Sequence, residues 1–129
     1  MIDTSPLTDA ANRFADRLRS APQSRLKRGA AAEGLALARE LSARAQRLEG
    51  LAPGVEPREM PDAGPFAVGD QLVVAAVDLA EALRAVSRPA EAGAASGGPE
   101  GAGSAGTAPS EAVDEAVRCV AEAAARAGL

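Results

Sequence analysis

The chain has 129 residues, which is enough for one domain. Alanine makes up about a quarter of it, whereas Leu, Ile, Val and Phe together fall just below a fifth, and this balance predicts a helical fold with a thin core. The formal net charge is only −4. The absence of His excludes histidine-based catalysis and histidine metal sites, and a single Cys excludes an internal disulfide.

The first predicted helix begins at Ser5-Pro6, an N-cap followed by proline at the first helical position, and it ends before Pro22. Its apolar residues recur at steps of four, three and four, which places them on one face of the helix. These residues are Leu7, Ala11, Phe14 and Leu18.

A second, longer helix is predicted over residues 24–49, because its apolar residues keep helical spacing throughout. Two glycines inside it each lower helix stability by about 1 kcal/mol relative to alanine. One explanation is close packing, since Ala30, Gly34 and Ala38 form a smooth face for a neighbouring helix. A break at Gly29 is the alternative.

The stretch PREMPDAGPFAVGDQL, residues 57–72, has three prolines, four charges, one methionine and one phenylalanine. Because it joins the two longest helices, we expect those helices to turn back on each other, with the prolines stiffening the turn. Met60 and Phe66 are then expected to plug the open end of the bundle. A stiff, charged loop is also a candidate docking site. Its residues are Arg58, Glu59, Met60, Asp62 and Phe66.

A third helix is predicted from about Phe66 to Ser87, with an apolar face that Val73 and Val77 widen, as expected of a helix touching two neighbours. Residues 90–109 are rich in Gly, Ala and Ser and lack periodicity, so we interpret them as a flexible linker. A fourth helix, capped near Ser110, is expected to dock only marginally. The predicted fold is therefore an all-α bundle of about four helices: a three-helix core (1–89), the linker (90–109) and a C-terminal helix (110–129) that packs back on the core.

Motifs for cofactor or catalytic chemistry are weak. GAGSAG, residues 101–106, has the spacing G-x-G-x-x-G but lies in the linker, without the strand and helix that a dinucleotide site needs. Mg²⁺ prefers oxygen ligands, which the side chains of Glu59, Asp62 and Asp70 could supply. We favour a different interpretation, in which Asp62 caps a turn and the carboxylates of Glu59 and Asp70 are solvated. Cys119 is interpreted as a packing residue, because no histidine is present to activate it. We therefore predict no enzyme activity, no cofactor and no metal.

Charge is unevenly distributed along the chain. The first fifty residues hold nine Lys or Arg against six acids, and the remainder holds five against twelve. A basic stripe of this kind could neutralise phosphates, but the chain is acidic overall, and Phe14, the one aromatic residue among these cations, belongs to the apolar face of the first helix and is not interleaved for stacking. Nucleic-acid binding is therefore our second hypothesis. Its candidate residues are Arg13, Arg17, Arg25, Lys27 and Arg28, with Arg19 beside them.

The segments PREMPDAGPFAVGDQL and DLAEAL, together with ANRFADRLRSAP, resemble small, uncharacterised Ala/Arg-rich helical proteins of actinobacteria. The likeness covers most of the chain outside the linker; it implies a cytosolic location and no particular activity or site. The N-terminus lacks the features of a signal peptide, and the most apolar window is too short to span a membrane and carries Asp78 and Glu81. We therefore predict a non-catalytic cytoplasmic interaction module that binds a protein partner or a second copy, the alternative being a nucleic-acid-associated regulator.

Overall fold

The structure is a computed structural model that describes residues 2–87 and 108–129. Within these residues the fold is all-α, with four main helices and no strands, as the sequence predicts. A short helical stretch, Gln23–Arg25 followed by Leu26–Ala30, leads into the second helix. The predicted linker, 90–109, lies outside the described residues except for its last two positions. The main helices are α1 (Ser5–Ser20), α2 (Ala31–Leu48), α3 (Val68–Val86) and α4 (Pro109–Ala127).

The structure confirms one predicted helix break and contradicts two predicted helix caps. The break at Gly29 is confirmed, because φ is +144° there, a region that favours glycine, and the short helical stretch is kinked before α2 begins. The predicted cap at Ser5 is wrong, since Thr4 is the N-cap of α1. The predicted cap near Ser110 is also wrong, since α4 begins after Ala108 without a side-chain cap hydrogen bond.

α2 and α3 run parallel to each other. A Cβ atom placed on Gly34, near the start of α2, would lie 2.6 Å from Val68 Cγ1 at the start of α3. At the other ends of the same helices, Leu48 and Leu83 line one groove. The expected antiparallel hairpin is therefore wrong. The reason is length: α2 spans about 27 Å, and residues 49–67, which we call the crossover segment, are enough to return along it.

α1 runs antiparallel to α3, as two contacts at opposite ends of the pair establish. Arg19 Nη2 lies 2.6 Å from Asp70 Oδ1 at one end, and Arg84 Nη1 donates to Thr4 Oγ1 over 2.6 Å at the other. Two ion pairs fix α4 antiparallel to α2: Arg126–Glu33 at 2.8 Å and Arg44–Glu115 at 3.9 Å. α1 and α2 each pack against both α3 and α4, which leaves α3 and α4 on opposite sides of the bundle.

The core is made largely of small side chains. About half of its buried apolar residues are alanine, and the largest fully buried side chains include Phe14 and Leu72. The smooth face predicted for the second helix is confirmed, because Ala30, Gly34 and Ala38 are all buried. Small residues bring the helix axes close together, so this thin core is packed tightly where α2 meets α3.

The crossover segment has turns at residues 52–55 and 64–67 and no helix or strand, and side chains of α2 hold its backbone. The Gln46 amide both donates to the Arg58 carbonyl and accepts from the Arg58 N–H, each over 2.8 Å. Arg39 Nε donates to the Met60 carbonyl over 2.8 Å. These side chains satisfy backbone groups that no helix or sheet satisfies. The segment is therefore anchored to the side of the bundle.

Candidate functional site

An apolar stripe lies on the outer face of α3, which points away from the bundle centre and from α4. Val74 is 52% exposed and Val77 39% exposed, with the partly buried Val73 next to them. Phe66 lies two residues before the start of α3 and is 73% exposed. We call Phe66, Val73, Val74 and Val77 the α3 stripe. A group of exposed apolar side chains of this kind is typical of interaction surfaces.

The edge of the α3 stripe that faces α1 is fixed by a guanidinium between two carboxylates. Arg19 contacts Asp70 at 2.6 Å and Asp16 at 3.2 Å. The hydrogen bond to Asp70 is the main cause of a raised pKa for Arg19, so the guanidinium stays charged. Both carboxylates are about three-quarters exposed, which limits the stability that this network adds but leaves its charge accessible.

The opposite edge is formed by the crossover segment. Gln71 Nε2 donates to the Pro61 carbonyl over 2.9 Å, which ties the segment to α3 as well as to α2. Farther along, Asp78 lines a pocket of about 200 Å³ together with Arg58 and Glu59. Glu81 follows as an exposed carboxylate one turn beyond Val77. The α3 stripe therefore lies between two edges that carry several carboxylates.

Four residues of the predicted docking loop line two different pockets: Arg58, Glu59 and Met60 line one of about 200 Å³, and Asp62 lines another of about 300 Å³. Arg58 and Glu59 are exposed, and Arg39 lies 3.5 Å from the Glu59 carboxylate. Met60 is partly buried against the core. Asp62 accepts a hydrogen bond from the Gly64 N–H over 2.9 Å and so closes a turn.

The predicted plug at the bundle end is wrong for Phe66, which is 73% exposed. The physical reason is the parallel arrangement of α2 and α3. A connection between parallel helices runs along the side of the bundle from one end to the other, so it does not fold over one end as a hairpin turn would. Only Met60 reaches the core from this segment, and it does so from the side.

Val77 was expected on the buried face of the third helix, and this expectation is also wrong, because Val77 is 39% exposed. Val74, which is 52% exposed, was not predicted to belong to any surface. A signal was present: Leu72, Leu79 and Leu83 define one face, and Val74 lies on the opposite side of the helical wheel. An apolar residue so far from the buried face indicates a second apolar surface.

The basic patch is divided by the fold. Arg25 and Arg28 line an open pocket of about 380 Å³ together with Arg126 of α4. Arg126 was not among the predicted basic residues, because it is far from them in the sequence. Arg25 donates to the Gly128 carbonyl over 2.8 Å, and Arg126 contacts Glu33. Arg13, Arg17 and Lys27 are exposed but do not line that pocket. Two arginines of the pocket, Arg25 and Arg126, therefore help to attach α4 to the rest of the bundle.

The predicted metal-ligand candidates are not brought together. Across residues 2–87 and 108–129, no group of three or more Cys, Asp or Glu side chains is arranged to hold a metal ion. This applies to Glu59, Asp62 and Asp70. Cys119 is partly buried, and Arg44 Nη2 donates to its Sγ over 3.4 Å.

Comparisons with protein families, curated proteins and solved structures found no match to this chain. Among the described helices, none combines the length and apolar character needed to cross a membrane.

Proposed function

We propose that this protein is a non-catalytic cytoplasmic interaction module that binds a protein partner through the α3 stripe. The observation that supports it best is the exposure of Val74 and Val77 on α3 and of Phe66 just before its start. The inner face of that helix is closely packed, so the stripe is presented on a rigid support. Covering the exposed apolar surface would stabilise a complex by about 25 cal/mol per Å² removed from water.

An aromatic side chain at one end of the α3 stripe strengthens the proposal. Aromatic residues are enriched among the side chains that dominate binding energy in protein interfaces. Phe66 is the third residue of a turn, two residues before α3, that the hydrogen bond from the Ala67 N–H to the Gly64 carbonyl closes over 3.1 Å, so its backbone is restrained. A restrained aromatic loses little conformational entropy on binding.

Nucleic-acid binding has weaker support. Of the candidate basic residues, Arg25 is hydrogen-bonded to the end of α4, and Arg19 is held by two carboxylates. The remaining candidates are exposed charges without aromatic neighbours, which is typical of a solvated helix face.

Site-specific crosslinking tests the proposal. The photoreactive residue p-benzoylphenylalanine is placed at Val74, and for comparison at Ala121, an exposed position of α4. After irradiation in source-cell lysate, we expect a discrete higher-mass adduct from position 74 only, and its loss when Val77→Asp is added. Thermal melts verify that each variant is folded. Identical adducts from both positions, or none from position 74, would contradict the proposal.

A further inference from the structure

We infer that the partner segment recognised by the α3 stripe is a basic amphipathic helix. This inference rests on the proposed function, since it names the kind of partner for the same surface. Its support comes from the shape of the stripe and from the charges beside it.

The shape of the stripe suits a helix. From Phe66 to Val77 it extends about 17 Å along α3 at 1.5 Å per residue. It is one side chain to two side chains wide and has no deep pocket beneath it, because the residues under it are packed in the core. Apolar residues spaced at i, i+3 or i+4 and i+7 on a partner helix match a narrow linear surface of this kind.

The charges beside the stripe are mainly acidic. Asp16, Asp70, Asp78 and Glu81 are all exposed on this side of the bundle. Three guanidiniums offset them in part: Arg19 contacts Asp16 and Asp70, Arg84 donates to Thr4, and Arg58 lines the same pocket as Asp78. Asp78 and Glu81 have no ion pair within 4 Å among the described residues. A cationic partner complements these carboxylates.

The same charges disfavour other occupants. A second copy of the chain packed stripe to stripe in antiparallel fashion about Val77 would bring the two Asp78 side chains near the symmetry axis, where like charges repel. An anionic lipid surface or a nucleic acid would meet the same repulsion. A partner helix with apolar residues on one side and Lys or Arg beside them matches both the apolar stripe and the carboxylates next to it.

Two labelled synthetic helices provide the test. Both have 18 residues and the same stripe of Leu and Ala; one carries Lys at its flanking positions and the other carries Glu. Binding to the full chain is measured by fluorescence anisotropy at low and physiological salt. We expect the Lys peptide to bind at least about tenfold more tightly than the Glu peptide, and salt to reduce the difference.

Two double variants separate the contributions of the apolar stripe and of the carboxylates. Val74→Ser with Val77→Ser should weaken Lys-peptide binding about tenfold through lost apolar contact. Asp78→Asn with Glu81→Gln should weaken it about threefold to fivefold and lower its salt dependence. The matched control removes one Asp and one Glu from the outer face of α4, Asp114→Asn with Glu122→Gln, and should leave binding unchanged.

Each contrary result has a defined meaning. Equal binding of the two peptides, tighter binding of the Glu peptide, or equal loss with the α4 control would overturn the basic-partner inference. Absence of binding by both peptides would overturn it as well, while crosslinks at position 74 would still uphold the proposed function. A dimer in light scattering that Val74→Ser with Val77→Ser dissociates would identify a second copy as the occupant instead.

Discussion

α3 and α4 have the same length, 19 residues each, and lie on opposite sides of the bundle, yet their outer faces differ. α4 exposes Asp114, Arg118 and Glu122, and within the described residues it carries none of the exposed large apolar side chains. α3 exposes Val74 and Val77. The chain can thus build an amphipathic helix with a polar outer face, so the apolar outer face of α3 is a specific feature and not a general result of its composition.

The inner faces of the two helices differ in a second way. α3 buries leucines, whereas the buried residues of α4 are Val113, Val120 and three alanines. Polar contacts supplement the attachment of α4, among them Arg25 to the Gly128 carbonyl and Arg126 to Glu33. Both contacts are exposed and therefore contribute little. The structure thus suggests that α3 carries more of the stability of the bundle than α4 does.

Among changes to α3 and α4, the largest effect is expected from Leu72→Ala on the inner face of α3. Leu72 is fully buried, so its truncation should lower the free energy of unfolding by about 2–5 kcal/mol. Denaturant unfolding followed by circular dichroism measures this. Because α3 contacts every other main helix, the loss should be global: amide exchange should accelerate throughout the bundle.

The matched change on α4 is Val120→Ala, at a position only 2% exposed. It should cost about 1–3 kcal/mol, since fewer buried carbons are lost. Its effect on hydrogen exchange should be concentrated in 109–127, where we expect opening at lower free energy than in α2 or α3. Equal protection of all four helices, or a global effect of Val120→Ala, would mean that α4 is held as firmly as α3.

The contact between α2 and α3 at Gly34 allows a second test. Alanine is favoured over glycine in helices by about 1 kcal/mol. However, a Cβ atom at position 34 would lie 2.6 Å from Val68 Cγ1 and 3.0 Å from Leu18 Cδ1. Overpacking of this kind costs about 1–3 kcal/mol, so Gly34→Ala should destabilise the protein overall.

A double-mutant cycle with Val68→Ala identifies the cause of that destabilisation. Removing the Val68 methyl groups removes the closest contact, so in the Val68→Ala background Gly34→Ala should become neutral or stabilising. The same loss of stability in both backgrounds would show that close packing against Val68 is not the reason for glycine at position 34.

Periodicity predicted the class of fold and most of the buried faces, because burial repeats with the helical period. It could not predict that α2 and α3 are parallel, since a connection such as residues 49–67 is long enough for either arrangement. That one feature decides where Phe66 lies. The outer valines were missed for a related reason: the angle of a residue on a helix is readable from sequence, but the number of neighbouring helices is not.

The smallest effect is expected from Phe66→Ala, and it bears directly on the difference between the two faces of the bundle. Phe66 is 73% exposed, whereas Phe14, the other phenylalanine of the chain, is 1% exposed. Phe14→Ala should cost about 3–5 kcal/mol, but Phe66→Ala should change stability by less than about 0.5 kcal/mol, as is usual for exposed positions. Thermal melts of both variants measure the contrast. If Phe66→Ala lowered the melting temperature as much as Phe14→Ala does, Phe66 would belong to the core and the α3 stripe would lose its aromatic residue. An unchanged melt combined with loss of the crosslink at position 74 would instead assign Phe66 to partner binding, because only a residue that contacts the partner weakens the complex without weakening the fold.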